Sequence, residues 1–303
     1  MSYQGVEVSE QVQQALHDNT PVVALESTII SHGLPRPGNL DAARGFERLL
    51  TDNGVTPATI ALIDGVPKVG LTGTELERIA SDESAVKISS RDIAIAMATG
   101  VTGGTTVAAT SVLAAKAGLR VFATGGLGGV HRGAAQTFDE SADLTALSRT
   151  PITVVSAGVK TILDIPATLE RLETLGVAVI GYRTNRFPAF WLSDSGCELD
   201  WRVDSAAEIA AIMAARAALG EQSALLVANP LPQDEQLDPA VLDRALTQAL
   251  AAAAAGGIHG KAVSPFLLDH IVRATGGASL AVNLRLASGN IALAGQIARA
   301  VAG

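Results

Sequence analysis

The sequence predicts an α/β fold, a single-domain α/β/α sandwich around a central mixed, largely parallel sheet. Three observations predict it. Short β-branched runs alternate with longer helical patterns along the whole chain. Hydrophobic residues make up 48% of the 303 residues but aromatics only 3%. A core of Ala, Val, Leu and Ile suits buried parallel strands packed on helices. No Ser/Gly linker, low-complexity tail or fixed-period repeat interrupts the pattern, so 1–303 reads as one domain with a self-sufficient core.

The elements follow in order. Residues 8–18 have helical spacing, and the whole polar N-terminus, MSYQGVEVSEQVQQALHDN, reads as helix. Residues 21–30 (PVVALESTII) read as a strand rich in β-branched side chains. The loop SHGLPRPGN follows, broken by prolines and glycines, and Asn39 or Asp41 caps a helix to about Asn53. Residues 58–63 form a strand, and DGVPKVG turns the chain back into 69–71. Thr72 or Thr74 caps the helix TELERIAS. A short strand at 86–89 and a short helix at 92–99 lead into 101–117, which opens on GGTT and becomes an alanine-rich helix. Strands are expected at 121–124, 153–157, 177–181 and 225–228. Helices are expected at 167–175, 238–255, 265–275 and 290–301.

Composition excludes several classes of function. A net charge of −8 and the lack of a dense Lys/Arg block argue against a nucleic-acid polymer as partner. The single cysteine, Cys197, permits neither an intramolecular disulfide nor a cysteine zinc cluster. No apolar run has the roughly 18–20 residues that a membrane span needs, and the N-terminus has no apolar signal core. The expectation is a cytoplasmic protein. No GK[ST] closes a P-loop, and GGLGG does not fit the dinucleotide fingerprint. No Ser-His-Asp arrangement or H-E-x-x-H helix is visible.

Several residues stand out. Lys160, one of five lysines, follows the strand TVVSA and precedes a helix. Ligands bind at the C-terminal ends of strands in such folds. A helix N-terminus and the apolar neighbours Val159, Ile162 and Leu163 would lower an amine pKa and suit it to imine formation. A structural lysine reaching solvent from a strand end fits the same position. Lys87 fits a phosphate clamp, a charge that tunes a neighbouring lysine, or a partner for Asp92 or Glu83. Glu26 interrupts an apolar strand, where it is either a proton donor with a raised pKa or half of a buried ion pair. Asp139, Glu140 and Asp143 in TFDESAD, with His131 nearby, suit a hard divalent metal, or else a solvated loop and helix cap. The turns GGTT and GGLGGVHRG offer backbone amides to a phosphate or carbonyl oxygen.

Taken together, PVVALESTIISHGLPRPGN, GGTTVAAT, ATGGLGGVHRG, FDESADL, SAGVKTILDIPATLE, RTNRFPAFW and NLRLASGNIALAGQIA resemble the pseudouridine-5′-phosphate glycosidase family, also called indigoidine synthase A-like. The resemblance runs from about Val8 to the C-terminus. It implies an α/β/α homotrimer with a divalent metal, commonly manganese. It also implies reversible cleavage of pseudouridine 5′-phosphate to uracil and ribose 5-phosphate. Residue by residue it makes Glu26 the proton donor, Lys160 the nucleophile and Asp139 the metal ligand. Lys87, Val107, Ser141, Ala142, Asp143 and Asn283 become substrate contacts. Pseudouridine joins C1′ to a ring carbon, so protonation and water attack do not suffice, and a lysine imine at C1′ supplies the electron sink. Two other readings share these residues: another imine-forming lyase or aldolase on a phosphosugar, and a non-catalytic nucleotide-binding scaffold.

Overall fold

A computed structural model describes residues 2–3, 5–258 and 260–303. The strands, in chain order, are β1 (Ser2–Tyr3), β2 (Val6–Val8), β3 (Val22–Leu25), β4 (Thr56–Ile63), β5 (Val66–Val69) and β6 (Val86–Ile88). They continue as β7 (Gly103–Thr105), β8 (Val121–Ala123), β9 (Thr153–Ser156), β10 (Ala178–Tyr182), β11 (Arg202–Val203) and β12 (Leu225–Ala228). The order across the main path is β1-β2-β5-β4-β3-β8-β9-β12-β10-β11, with β6 and β7 attached through β4.

From β4 to β11 every pairing is parallel, as expected for near-continuous apolar strands flanked by helices. Strand β4 belongs to two neighbourhoods. Its first half pairs in parallel with β3, and its second half pairs antiparallel with β5 and β7. The turn at Asp64-Gly65 makes the β4–β5 hairpin, as DGVPKVG predicted, and Thr72 with Glu75 forms the capping box of the next helix. The long helix Ala278–Ala302 lies across β3, β8 and β9, and Val107–Lys116 packs against β3, β4, β5 and β7. Most of the buried apolar side chains form one continuous core, with a small second cluster around Ile30, Ala61 and Ile79. No described helix is long and apolar enough to cross a membrane.

Five local expectations change. The N-terminus is not all helix: residues 6–8 add a strand beside β5, and the helix starts at Glu10 on the Ser9 cap. The strand predicted for 21–30 stops at Leu25. The Ser27 hydroxyl donates to Ile60 O at 2.6 Å, and Ser27 O accepts from the amides of Ile30 and Ser31, so the chain leaves the sheet and turns. Asn39 does not cap its helix; its buried amide donates to Ile30 O and Ala80 O and pins that turn. The C-terminal helix begins at Ala278 rather than near Asn290, and a further helix, Ala206–Leu219, lies where no element was expected.

Candidate active site

Strand β3 has β4 on one side and β8 on the other, and β9 follows β8. A crevice opens at such a point, beyond the carboxyl ends of the strands. Glu26 directly follows β3, Thr124 follows β8, and Lys160 lies on the turn after β9. Glu26, Lys87, Lys160 and Asn283 line one cavity there, with His32 and Phe190. A wider groove at the opposite end of the sheet, lined by Arg120, Met213 and Val301, holds none of the sequence-selected side chains. The candidate site is therefore the cavity that gathers these side chains rather than the wider groove.

Each side chain is held for a local reason. Around Lys160 the backbone is pinned on both sides: its amide donates to Leu127 O at 3.1 Å, and its carbonyl accepts from Leu163 N at 2.9 Å. The Thr161 hydroxyl donates to Ala189 O, closing the turn. The helix expected immediately after Lys160 opens only at Ile165, and the Asp164 side chain caps it. The helix-terminus influence expected on Lys160 therefore falls on Asp164 instead. Its apolar setting does hold, since Val159, Ile162 and Leu163 are all buried.

Glu26 keeps a little exposure toward the cavity, yet protein surrounds its carboxyl closely enough that burial pushes its pKa up. The Lys160 charge, the Thr124 hydroxyl and, more weakly, Lys87 oppose that rise, and Asp143 adds to it. Thr124 Oγ1 donates to Glu26 Oε1. Burial also pulls the Lys87 amine down, and the Lys160 charge pulls the same way against Asp143 and Glu26. Lys87 retains exposed surface, so solvent screens these influences. The expected pairing of Lys87 with Asp92 or Glu83 does not form; Asp92 instead accepts from the Ser89 amide in a local cap. His32 is lowered by burial first and by Lys87 and Arg36 next.

The acidic segment separates into three roles. Asp143 is buried, and its two oxygens accept from Ala108 N at 2.9 Å and Gly128 N at 2.8 Å. It ties the start of the Val107–Lys116 helix to the glycine-rich turn. Ser141 caps the short helix that begins at Ala142, accepting from Asp143 N. Glu140 is engaged by Arg171. Only Asp139 remains, partly exposed, with His131 Nδ1 3.8 Å from its carboxylate. Burial lowers the His131 pKa against the pull of Asp139. Among the described residues no three His, Cys, Asp or Glu side chains converge on one point. The three acids therefore do not form the shared metal cluster that their spacing suggested. The Asp139 carboxylate alone offers the oxygen ligand that a hard, largely hydrated ion takes, with the His131 imidazole beside it.

Close packing accounts for a glycine in each of the two turns, and Gly125 and Gly126 of the second turn line the cavity. A Cβ on Gly104 would lie 2.2 Å from Ser31 Oγ, and one on Gly128 would lie 2.2 Å from Ser141 Oγ. In GGTT the amides of Thr105 and Thr106 are already committed to Ser27 Oγ and Ile88 O. Val107 is buried at the helix start, so only its backbone is polar there. Asn283 Oδ1 accepts from Trp191 Nε1 at 2.5 Å, which fixes the rest of its amide toward the cavity.

Residues 11–300 match the family described as indigoidine synthase A like protein. The chain belongs to that family. The pseudouridine-5′-phosphate glycosidase of Saccharopolyspora erythraea is 60% identical over 98% of both chains. That of Frankia alni is 61% identical over 97% of this chain and 81% of its own. Among solved structures, the prealnumycin C-glycosynthase AlnA in complex with ribulose 5-phosphate superposes with a TM-score of 0.91. It is 38% identical and covers 99% of this chain and 97% of its own. An indigoidine synthase A-like protein from Thermotoga maritima gives a TM-score of 0.89 at 34% identity, with 98% and 97% covered. The match covers nearly the whole chain, as the resemblance from about Val8 onward implies.

Three site residues escaped the sequence reading. His32 appeared only within a loop, although SHG directly follows the strand that carries Glu26. Thr124 appeared only as the end of a strand, and Phe190 as part of a segment far away in sequence. Nothing local marks Thr124; its role arises because β8 lies beside β3.

Proposed function

We propose that this protein is a pseudouridine-5′-phosphate glycosidase that uses Lys160 as its nucleophile and Glu26 as its proton donor. The observation that supports this best is the convergence of Glu26 and Lys160, with Lys87, in one cavity at the carboxyl edge of the sheet. The shared family and the named activity of relatives at about 60% identity point the same way.

The chemistry follows from what each group can do. The uncharged Lys160 amine adds to C1′ as the C1′–O4′ bond breaks, and O4′ takes the proton of Glu26. The Glu26 carboxylate takes one proton back from the secondary ammonium; the freed nitrogen lone pair forms a C1′=N bond while the C1′–C5 bond to the base breaks, and the uracil carbon takes that proton from Glu26. Water hydrolyses the iminium, releasing ribose 5-phosphate and restoring the amine. Lys87 places a point charge on the phosphate. Ser141, Ala142, Asp143 and Asn283 orient the substrate, with Val107 acting through its backbone. Asp139, beside His131, would hold a hydrated divalent ion, most simply Mn2+, which would supply positive charge for substrate oxygens.

Incubation with pseudouridine 5′-phosphate and Mn2+ is expected to release free uracil, read by chromatography. No uracil across a range of metals and pH would sink the reading, and a cleaved sugar chain would favour an aldolase. For the metal, Asp139→Ala is expected to move the Mn2+ titration of activity to at least roughly 10-fold higher concentration. A titration identical to wild type removes Asp139 as the ligand.

A further inference from the structure

We infer that Asn290 is a positioning residue, one that sets the Glu26 carboxyl through Thr124 and so governs turnover without touching substrate. The role in turnover rests on the glycosidase reading above; the positioning itself does not. Asn290 is fully buried on the Ala278–Ala302 helix. Its amide nitrogen donates to Thr124 O at 2.8 Å and to Gly125 O at 3.2 Å. Its oxygen accepts from Asn229 Nδ2 at 2.9 Å. The amide has one workable orientation, because a flip would turn its oxygen toward two carbonyl acceptors. Both of its N–H groups and its oxygen are thereby used.

Why this matters to Glu26 follows from where the sheet ends. The β3–β8 pairing stops at Leu25 and Ala123. Beyond it no ladder hydrogen bond joins Glu26 to Thr124, and the bond from the Thr124 hydroxyl to the carboxyl spans the gap. The aim of that hydroxyl depends on how the Thr124 backbone is held. Its amide donates to Val155 O at 3.0 Å, and its carbonyl is fixed by Asn290. Asn229 completes the brace, since its backbone N–H donates to Ser156 O at 2.9 Å. The helix that brings Asn283 to the cavity thus also locks the turn behind the acid.

An asparagine that only satisfies buried carbonyls would cost stability when lost and leave the acid alone. Among the described residues, the groups facing Glu26 are Thr124, Lys160, Asp143 and Lys87, from the end of β8, the turn after β9, the Ala142–Leu147 helix and β6. Asn290→Ala leaves all of them in the chain and removes only the brace. Two readouts decide, each made on wild type, Asn290→Ala, Thr124→Val and the double variant. One is the titration of Glu26 followed by carboxyl ¹³C NMR; the other is kcat and KM for uracil release. Asn290→Ala is expected to move the titration upward, in the direction of Thr124→Val, with no further movement in the double variant. It is expected to lower kcat roughly 10-fold with KM within about twofold, and to add less than about twofold in the Thr124→Val background. An unmoved Glu26 titration, or equal loss of kcat in both backgrounds, overturns the inference. Should Asn290→Ala fail to fold, Asn229→Ala reads the same brace, with a smaller upward movement expected and an unmoved titration overturning it. Uracil release by wild type is the separate arm: its absence removes the glycosidase reading, while the NMR titration still decides the positioning role.

Discussion

Lys160→Ala is expected to lower kcat for uracil release on the order of 10^4-fold or more, because it removes the atom that forms the covalent intermediate. Binding of pseudouridine 5′-phosphate should survive, since Lys87 and Asn283 remain in the cavity. Borohydride added during turnover is expected to fix a sugar adduct on wild type and none on Lys160→Ala. The competing site is Lys87, the other lysine that lines the cavity among the described residues. The two differ in how they are held. Lys160 stands on a turn closed by hydrogen bonds through Leu127, Leu163 and Ala189, behind buried Val159, Ile162 and Leu163. Lys87 stands on a three-residue strand whose neighbour Val86 is exposed. A fixed, apolar setting suits a nucleophile, and a partly solvated cation suits a phosphate. An adduct mapped to Lys87 by mass spectrometry, or full activity in Lys160→Ala, refutes the assignment.

Much of this site was legible because chemistry left local marks. A carboxylate inside PVVALESTII and a lysine after TVVSA contradict their apolar surroundings, and both line the cavity. The alternating pattern also marks β4, β8, β9, β10 and β12 to within a few residues, and the start of β3. What failed to read has physical causes. The β-branched run through Ile30 looks like strand, but Ser27 bonds across to Ile60 and ends it. The helix Ala206–Leu219 buries Ile209 alone and has little contrast between its faces, so no 3.6-residue rhythm marks it. The three acids of TFDESAD lie close in sequence yet turn to amides, to Arg171 and to His131. Thr124 and Asn290 acquire their roles from strand order and helix packing, which join residues 98 and 166 positions apart from their partners.

Glu26→Gln is expected to lower kcat roughly 10^2- to 10^4-fold and, at the same time, to stabilise the fold at alkaline pH. The first effect follows because an amide accepts the Thr124 hydrogen bond but cannot hand a proton to O4′. The second follows from linkage. Burial, with Asp143 adding to it, raises the Glu26 pKa above the unfolded value of 4.5, against Lys160, Thr124 and Lys87. Between the unfolded and folded pKa values the native state binds the extra proton, so stability falls as pH rises through that window and then levels off. Glutamine carries no such penalty. Wild type should therefore lose stability to denaturant as pH climbs from about 4.5 to beyond the folded pKa, while Glu26→Gln loses less over the same range. The activity of wild type should fall on the alkaline side as the proton donor is lost. In Lys160→Ala the largest opposing charge is gone, so Glu26 should hold its proton to still higher pH. Parallel stability curves for wild type and Glu26→Gln would show that the carboxyl is not held above its ordinary value. The assignment of Glu26 as a proton donor active near neutrality would then fail, even if the residue proved essential.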